Sequence, residues 1–194
     1  MLGIVCVAVT ATRRWEVDWI TEGVGALYPE EWDRFAGHAE RAGLGYVKGR
    51  DRLVTVYSAL MESDDAAIRD AASWAWARWE DTHVAIGRSP HQRPSGWDDD
   101  RFRHAFVRLT SYIWSHDGFC YPPLIERAGE LAEIPGVLIH GRHDVSGPVV
   151  TPWLLHRAWP GSELVVSETS GHGSVDMGRS WDDANERVFQ RFSA

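Results

Sequence analysis

The sequence predicts an α/β fold, a parallel sheet whose first strand is followed by a long helical insertion. Three observations carry this. A continuous apolar run, Leu2-Gly3-Ile4-Val5-Cys6-Val7-Ala8-Val9, stands near the beginning. Helix-period pattern then extends to about residue 132. From residue 135 the rhythm becomes strand, helix, strand, helix with short connections, which joins parallel strands by right-handed crossovers.

Taken in order, residues 2–9 read as a strand buried on both faces, because the run is continuous rather than alternating. No basic segment precedes it and Arg13-Arg14 lie behind it, unlike a secretory leader. Pro29-Glu30-Glu31-Trp32 opens a helix, with proline in the first turn and acids at the positive end of the dipole. Leu53, Val54, Tyr57, Leu60 and Met61 mark a second helix. Ser63-Asp64-Asp65 caps a third, with Ile68, Ala71, Ala72, Ala75 and Trp79 as its apolar face. His83 to Asp100 holds Gly87, Pro90, Pro94 and Gly96 and reads as a loop. Phe102, Ala105, Phe106, Leu109 and Ile113 predict a fourth helix, and Pro122-Pro123 introduces a short fifth. Strands follow at 137–141 and 163–167, with helices over 150–159 and 181–192, the last facing inward through Trp181, Val188, Phe189 and Phe192. Residues 1–12 and 133–194 thus form a sheet-bearing core, and 13–132 an insertion above the strand ends, where such sheets bind ligands. That position makes it a lid.

Composition narrows the function. With 28 acidic against 20 basic residues and a net charge of −8, a nucleic-acid partner is disfavoured. Two distant cysteines, Cys6 and Cys120, form no disulfide framework and fit a reducing, cytoplasmic setting. No apolar run approaches the ~20 residues of a membrane span. Neither G-x-x-x-x-G-K-[ST] nor G-x-G-x-x-G occurs, so no nucleotide cofactor is expected. The 11 tryptophans suit core and pocket walls. The sequence is silent on oligomeric state.

The chemistry lies in two loops. Gly141-Arg142-His143-Asp144 follows one strand, and Ser170-Gly171-His172-Gly173 follows the next. A lone Asp after a strand is usually a turn residue, and a lone Gly-His-Gly usually a loop. Together, at neighbouring ends of parallel strands and in this order, they make an acid–histidine pair. The carboxylate would fix the imidazole tautomer while the other ring nitrogen takes a serine proton. His140-x-x-His143-Asp144 invites a metal reading, but successive strand-end side chains diverge and no third ligand cluster accompanies them, so no metal is expected.

Val137-Leu138-Ile139-His140-Gly141-Arg142-His143-Asp144 resembles the strand and acid loop of the prolyl aminopeptidases of the α/β-hydrolase superfamily. Leu155-His156-Arg157-Ala158-Trp159-Pro160, Glu163-Leu164-Val165-Val166 and Gly171-His172 continue the likeness in register. Leu27-Tyr28-Pro29-Glu30-Glu31-Trp32 and Trp76-Ala77-Arg78-Trp79-Glu80 resemble that family's lid segments, which distinguish it from α/β-hydrolases at large. The likeness runs from about residue 3 to the end, as the C-terminal two-thirds of such an enzyme. It implies the C-terminal part of an α/β-hydrolase sheet with a helical lid, and release of N-terminal proline from peptides with a free amine. Asp144 and His172 would be catalytic, and Glu80 would receive the substrate ammonium through a charge-assisted bond. Trp76 and Trp79 would wall a slot for the pyrrolidine ring.

Two departures qualify the resemblance. Where the family has a second acid, the segment Arg108-Leu109-Thr110-Ser111-Tyr112 offers Thr110. No serine has glycine at both −2 and +2, so the G-x-S-x-G nucleophile elbow is absent, as is the oxyanion loop expected before it. The expectation is an inactive chain beginning in mid-domain, with Ile4, Val5, Val7 and Val9 on an unprotected edge strand prone to aggregation. Two rivals stand beside the aminopeptidase: an esterase or amidase of the same superfamily, and a non-catalytic remnant.

Overall fold

The computed structural model describes residues 2–85 and 96–191. They divide into two compact units. One takes Met1–Ala11, Val84–Ser89 and Cys120–Ala194, and the other Thr12–His83 and Pro90–Phe119, so far as these are described.

The first unit is a three-stranded parallel sheet in the order β1-β2-β3. The strands are β1 (Ile4–Val7), β2 (Gly136–Gly141) and β3 (Ser162–Ser167). Register pairs Ile4 with Gly136 and Gly136 with Ser162. All of β2 is buried, as a central parallel strand requires. Alternation sends its residues to two cores. Leu138 packs with Val9, Ala128, Leu155 and Trp159 on one face, while Val137 and Ile139 pack with Met177 and Ala184 on the other.

Three helices of this unit follow. α6 (Leu124–Arg127) and α7 (Val150–Ala158) belong to the Leu138 face, and α8 (Val175–Gln190) to the Ile139 face. Ser174 caps α8 by accepting the Met177 N–H at 3.1 Å. The helix therefore begins six residues before the predicted 181; the signal missed was a serine N-cap with Asp176 in the first turn. Val188 and Phe189 lie within it, and Phe189 is 61% exposed; Phe192 falls outside the described residues.

The reading of residues 2–9 needs correction. β1 spans only Ile4–Val7 and is half-buried, with Val7 exposed. The ladder stops after Val7, where Ala8 adopts left-handed backbone (φ 51°) and the next N–H, that of Val9, goes to the His140 ring. Val9, expected on an unprotected edge, is instead buried in the Leu138 cluster.

The second unit is helical: α1 (Arg14–Thr21), α2 (Pro29–Arg41), α3 (Leu53–Met61), α4 (Ala66–Val84) and α5 (Asp100–Ser115). Every apolar residue predicted for α3 is buried. Proline and Glu30-Glu31 open α2 as expected, and Asp65 starts α4 by accepting the Ala67 N–H at 2.8 Å. Phe35, Tyr57 and Trp76 meet as an aromatic knot, with Phe35 stacked on Tyr57 at 4.4 Å and both rings edge-on to Trp76.

The predicted face of α4 is right in part and that of α5 is wrong. In α4, Ala72 and Trp79 are buried and Ala75 packs on the core as expected, but Ile68 and Ala71 are exposed, and Ser73, Trp76 and Ala77 are buried as well. In α5 the buried stripe is Arg103, Val107 and Ser111, while Phe102, Leu109 and Ile113 are exposed. Apolar periodicity misled because the inward anchor of α5 is a cation. Arg103, fully buried, donates to Ser73 Oγ (2.9 Å), the Trp97 carbonyl, Asp70 (2.6 Å) and Asp100 (2.7 Å). Its guanidinium also stacks 4.0 Å over Trp74. These bonds offset the cost of burying the charge.

The predicted loop from His83 lies largely outside the described residues; α4 continues through Val84, and residues 96–99 form a turn whose Asp99 caps α5. Among the described residues no helix is long and apolar enough to cross a membrane.

Candidate active site

The acid loop begins where β2 ends. Asp144 donates its N–H back to the Gly141 carbonyl (3.2 Å), and Arg142 continues the sheet ladder to the Ser167 carbonyl (2.9 Å). His143 then donates to the Ser170 carbonyl (2.9 Å), tying the acid loop to the histidine loop main chain to main chain. Such closeness depends on Gly141. A Cβ there would lie 2.0 Å from the Gly171 carbonyl oxygen and 2.4 Å from that of Ser170.

Within this clasp the two predicted residues meet. His172 Nδ1 donates to Asp144 Oδ2 at 3.0 Å. The other carboxylate oxygen accepts the N–H groups of Ser146 (2.9 Å) and Gly147 (3.1 Å). Asp144 is 5% exposed. Burial pushes its pKa up, but the bond and charge of His172, the Gly147 N–H and the nearby His140 outweigh that and hold the carboxyl below its ordinary range. With Nδ1–H committed to the carboxylate, the His172 lone pair sits on Nε2, on a side chain 36% exposed. A buried carboxylate fixing the tautomer of a more exposed imidazole is what general-base catalysis needs.

The histidine loop is braced from the other side. Ser167 and Ser170 hydroxyls lie 2.5 Å apart, Ser170 and Ser174 2.6 Å apart, and Ser174 is the cap of α8. A hydroxyl chain thus runs from the end of β3 to the start of α8 beside His172.

His140 is the residue the sequence left without a role. Fully buried, it accepts the Val9 N–H on Nδ1 (3.0 Å) and donates from Nε2 to the Gly147 carbonyl (2.6 Å). Nε2 also lies 3.7 Å from Asp144 Oδ2. Burial lowers its pKa, so the ring is neutral, and its two bonds fix the end of β1 and the loop that cradles Asp144. The available signal was a histidine inside an otherwise apolar buried strand, four residues before the acid. His143, by contrast, is exposed. No three His, Cys, Asp or Glu side chains gather for a metal among the described residues.

Glu80 belongs to the helical unit, near the end of α4. Its side chain is 17% exposed. Oε2 is buried, accepts no hydrogen bond among the described residues, and lies 3.5 Å from Nε2 of buried His83. The predicted tryptophan slot needs correction: Trp76 and Trp79 are 1% and 2% exposed and belong to the helical core. Trp79 stacks on Phe35 and donates to the Ile20 carbonyl (3.0 Å). Arg108, beside Thr110, forms a two-pronged pair with Glu62 at 2.7 and 2.8 Å.

Comparison with known proteins adds an independent finding. The chain is 33% identical over 172 residues to a proline iminopeptidase of Xylella fastidiosa (strain Temecula1), covering 84% of this chain and 51% of that protein. It is 31% identical over 192 residues to the Arabidopsis thaliana proline iminopeptidase, covering 96% and 49%. A probable proline iminopeptidase of Streptomyces coelicolor is 33% identical over 175 residues, covering 87% and 50%. No family model matches the chain. The chain spans about half the length of the curated relatives it matches.

Proposed function

We propose that this chain, whose sequence resembles the C-terminal part of the proline iminopeptidases over most of its length, carries the acid–histidine half of a serine aminopeptidase that releases N-terminal proline. The observation that supports it most is the 3.0 Å bond between His172 and a buried Asp144 at neighbouring parallel strand ends. In this reading His172 Nε2 takes the proton of a serine hydroxyl as the oxygen attacks the scissile carbonyl. Asp144 stabilises the resulting imidazolium, and His172 returns the proton to the leaving amine. The helical unit serves as the lid, and Glu80 receives the ammonium of the substrate's first residue, its orphaned oxygen supplying the acceptor. No G-x-S-x-G occurs in the 194 residues, so they supply the base and its carboxylate but neither the nucleophile nor its elbow. Both cysteines are free, which fits a reducing, cytoplasmic setting.

Two assays test this. The purified 194-residue chain should not turn over proline p-nitroanilide, since loss of the nucleophile alone lowers kcat by about 10⁶. Joined to the elbow-bearing half of a proline iminopeptidase, it should become active. Asp144→Asn should then lower kcat by about 10⁴, and Glu80→Gln should raise KM for amine-bearing substrates while sparing simple esters. Turnover by the chain alone, or a joined protein indifferent to Asp144→Asn, would sink the proposal. Thr110, standing where the resemblance implies a second acid, favours one alternative, an esterase or amidase with the same acid–histidine pair. Faster turnover of acyl esters than of the anilide would select it.

A further inference from the structure

The helical unit holds a cleft of about 470 Å³ between α2 and α4, within the size range of small-molecule sites. Glu80 does not line it, and the catalytic reading gives it no role. Its walls are apolar, formed by Ala71, Trp74 and Ala75 with the edges of Phe35 and Trp79. Trp74 is pinned by the Arg103 guanidinium over its ring, and Trp79 by its stack on Phe35 at 5.5 Å. These walls are pre-formed.

The rim carries the charge. Arg34 is neutralised by Glu31, the acid of the cleft, through an Nε bond of 3.0 Å and a second bond from its other nitrogen. Arg41 and Arg78 line the same cleft, both exposed, and neither is in an ion pair among the described residues. His38 stands between the walls and stacks beside Tyr57 at 5.9 Å. Burial, then the neighbouring charge of Arg41, holds its pKa below the ordinary value, so it contributes a neutral donor or acceptor. Two uncompensated guanidinium groups over an apolar floor are notable in a chain of net charge −8, which has acids to spare for pairing.

We propose that this cleft binds a small monocarboxylate with a flat apolar body. The body would lie on Trp74 and the alanines, and the carboxylate would take charge-assisted bonds from Arg41 and Arg78. Inorganic anions have no use for the floor, and neutral aromatics none for the arginines.

The test follows the indole N–H signals of Trp74 and Trp79 by NMR in the full 194-residue chain during titration with 3-phenylpropionate. Saturable shifts are expected, with 3-phenylpropionamide and inorganic phosphate each at least about tenfold weaker. Arg41→Gln and Arg78→Gln, both exposed positions that leave the core intact, should each weaken the acid about tenfold. Arg50→Gln, which removes a charge paired with Asp51 outside the cleft, should change affinity less than about twofold. No saturable shift up to ~20 mM would overturn the proposal, being beyond any useful affinity. So would equal binding of acid and amide, phosphate binding as tight as the acid, or an Arg50→Gln loss matching those in the cleft.

Discussion

Replacing Gly141 by alanine should separate the acid from the histidine without touching either. The new Cβ would stand 2.0 Å from the Gly171 carbonyl oxygen and 2.4 Å from that of Ser170, where ordinary contact begins at 3.4 Å. Both obstacles are main-chain atoms that cannot rotate aside, so the histidine loop would have to retreat by about 1.4 Å, enough to take a 3.0 Å bond out of hydrogen-bond range. Overpacking of this kind costs about 1–3 kcal/mol, and a charge-assisted bond contributes about 1.5–3 kcal/mol. The expected loss is therefore about 2.5–6 kcal/mol, a large part of a typical folding margin of about 5–15 kcal/mol. Urea denaturation of the purified chain measures it, with Gly173→Ala as control, because a Cβ there meets nothing within 4 Å. Nitrogen-15 NMR of the histidines reads the second consequence, loss of the His172 Nδ1–H bonded to Asp144. A Gly141→Ala protein within about 0.5 kcal/mol of the parent, with that proton still in place, would refute the reasoning.

Two further outcomes follow from buried ionisable groups. His140 is held below its ordinary 6.5 in the folded chain, so as pH falls through 6.5 the unfolded state takes up the proton first and stability declines. The slope contributed by one such group cannot exceed about 1.4 kcal/mol per pH unit. His38 acts in the same window and direction, whereas Asp144, held low, loses its contribution only below pH 3.8. His140→Gln should flatten the decline between pH 6.5 and 5 in urea titrations, and an unchanged slope would show that His140 is not the group responsible. Arg103→Ala should cost about 3–5 kcal/mol by urea denaturation, and Arg103→Met clearly less, because methionine refills the space without a charge. Equal losses would mean that the bonds to Ser73 and Trp97, not the space the side chain fills, anchor α5.

What the sequence made legible was whatever rests on local rules. Continuous apolar runs located the three strands found among the described residues, and punctuation by proline and acids located α2. Strand order placed Asp144 and His172 together, because parallel topology puts successive strand ends side by side. The failures share a cause: a side chain doing something its type does not announce. Arg103 occupies a core position by bringing its own partners, so the exposed Phe102, Leu109 and Ile113 looked like the inner face. His140 completes main-chain bonding that a strand rule assigns to backbone alone. The tryptophan slot fails for a related reason: Trp76 and Trp79 find their partners, Phe35 and Tyr57, on other helices that share no spacing with them, so both rings sit in the core and only an edge of Trp79 reaches the cleft beside α2.

Trp159 holds the opposite end of β2. Its indole N–H is shared between the Leu131 carbonyl (2.8 Å) and the Ile134 carbonyl (2.9 Å), and its six-membered ring fills the space where Gly136 would carry a side chain, 2.3 Å from that ideal Cβ. The two positions are therefore one decision written in two places. A family variant with alanine or larger at position 136 must have surrendered the indole at 159, and with it the shared donor that closes the turn before the strand. In an alignment the two columns should covary, with glycine accompanying tryptophan and larger residues accompanying smaller rings. A designer restocking this core would have to change both at once.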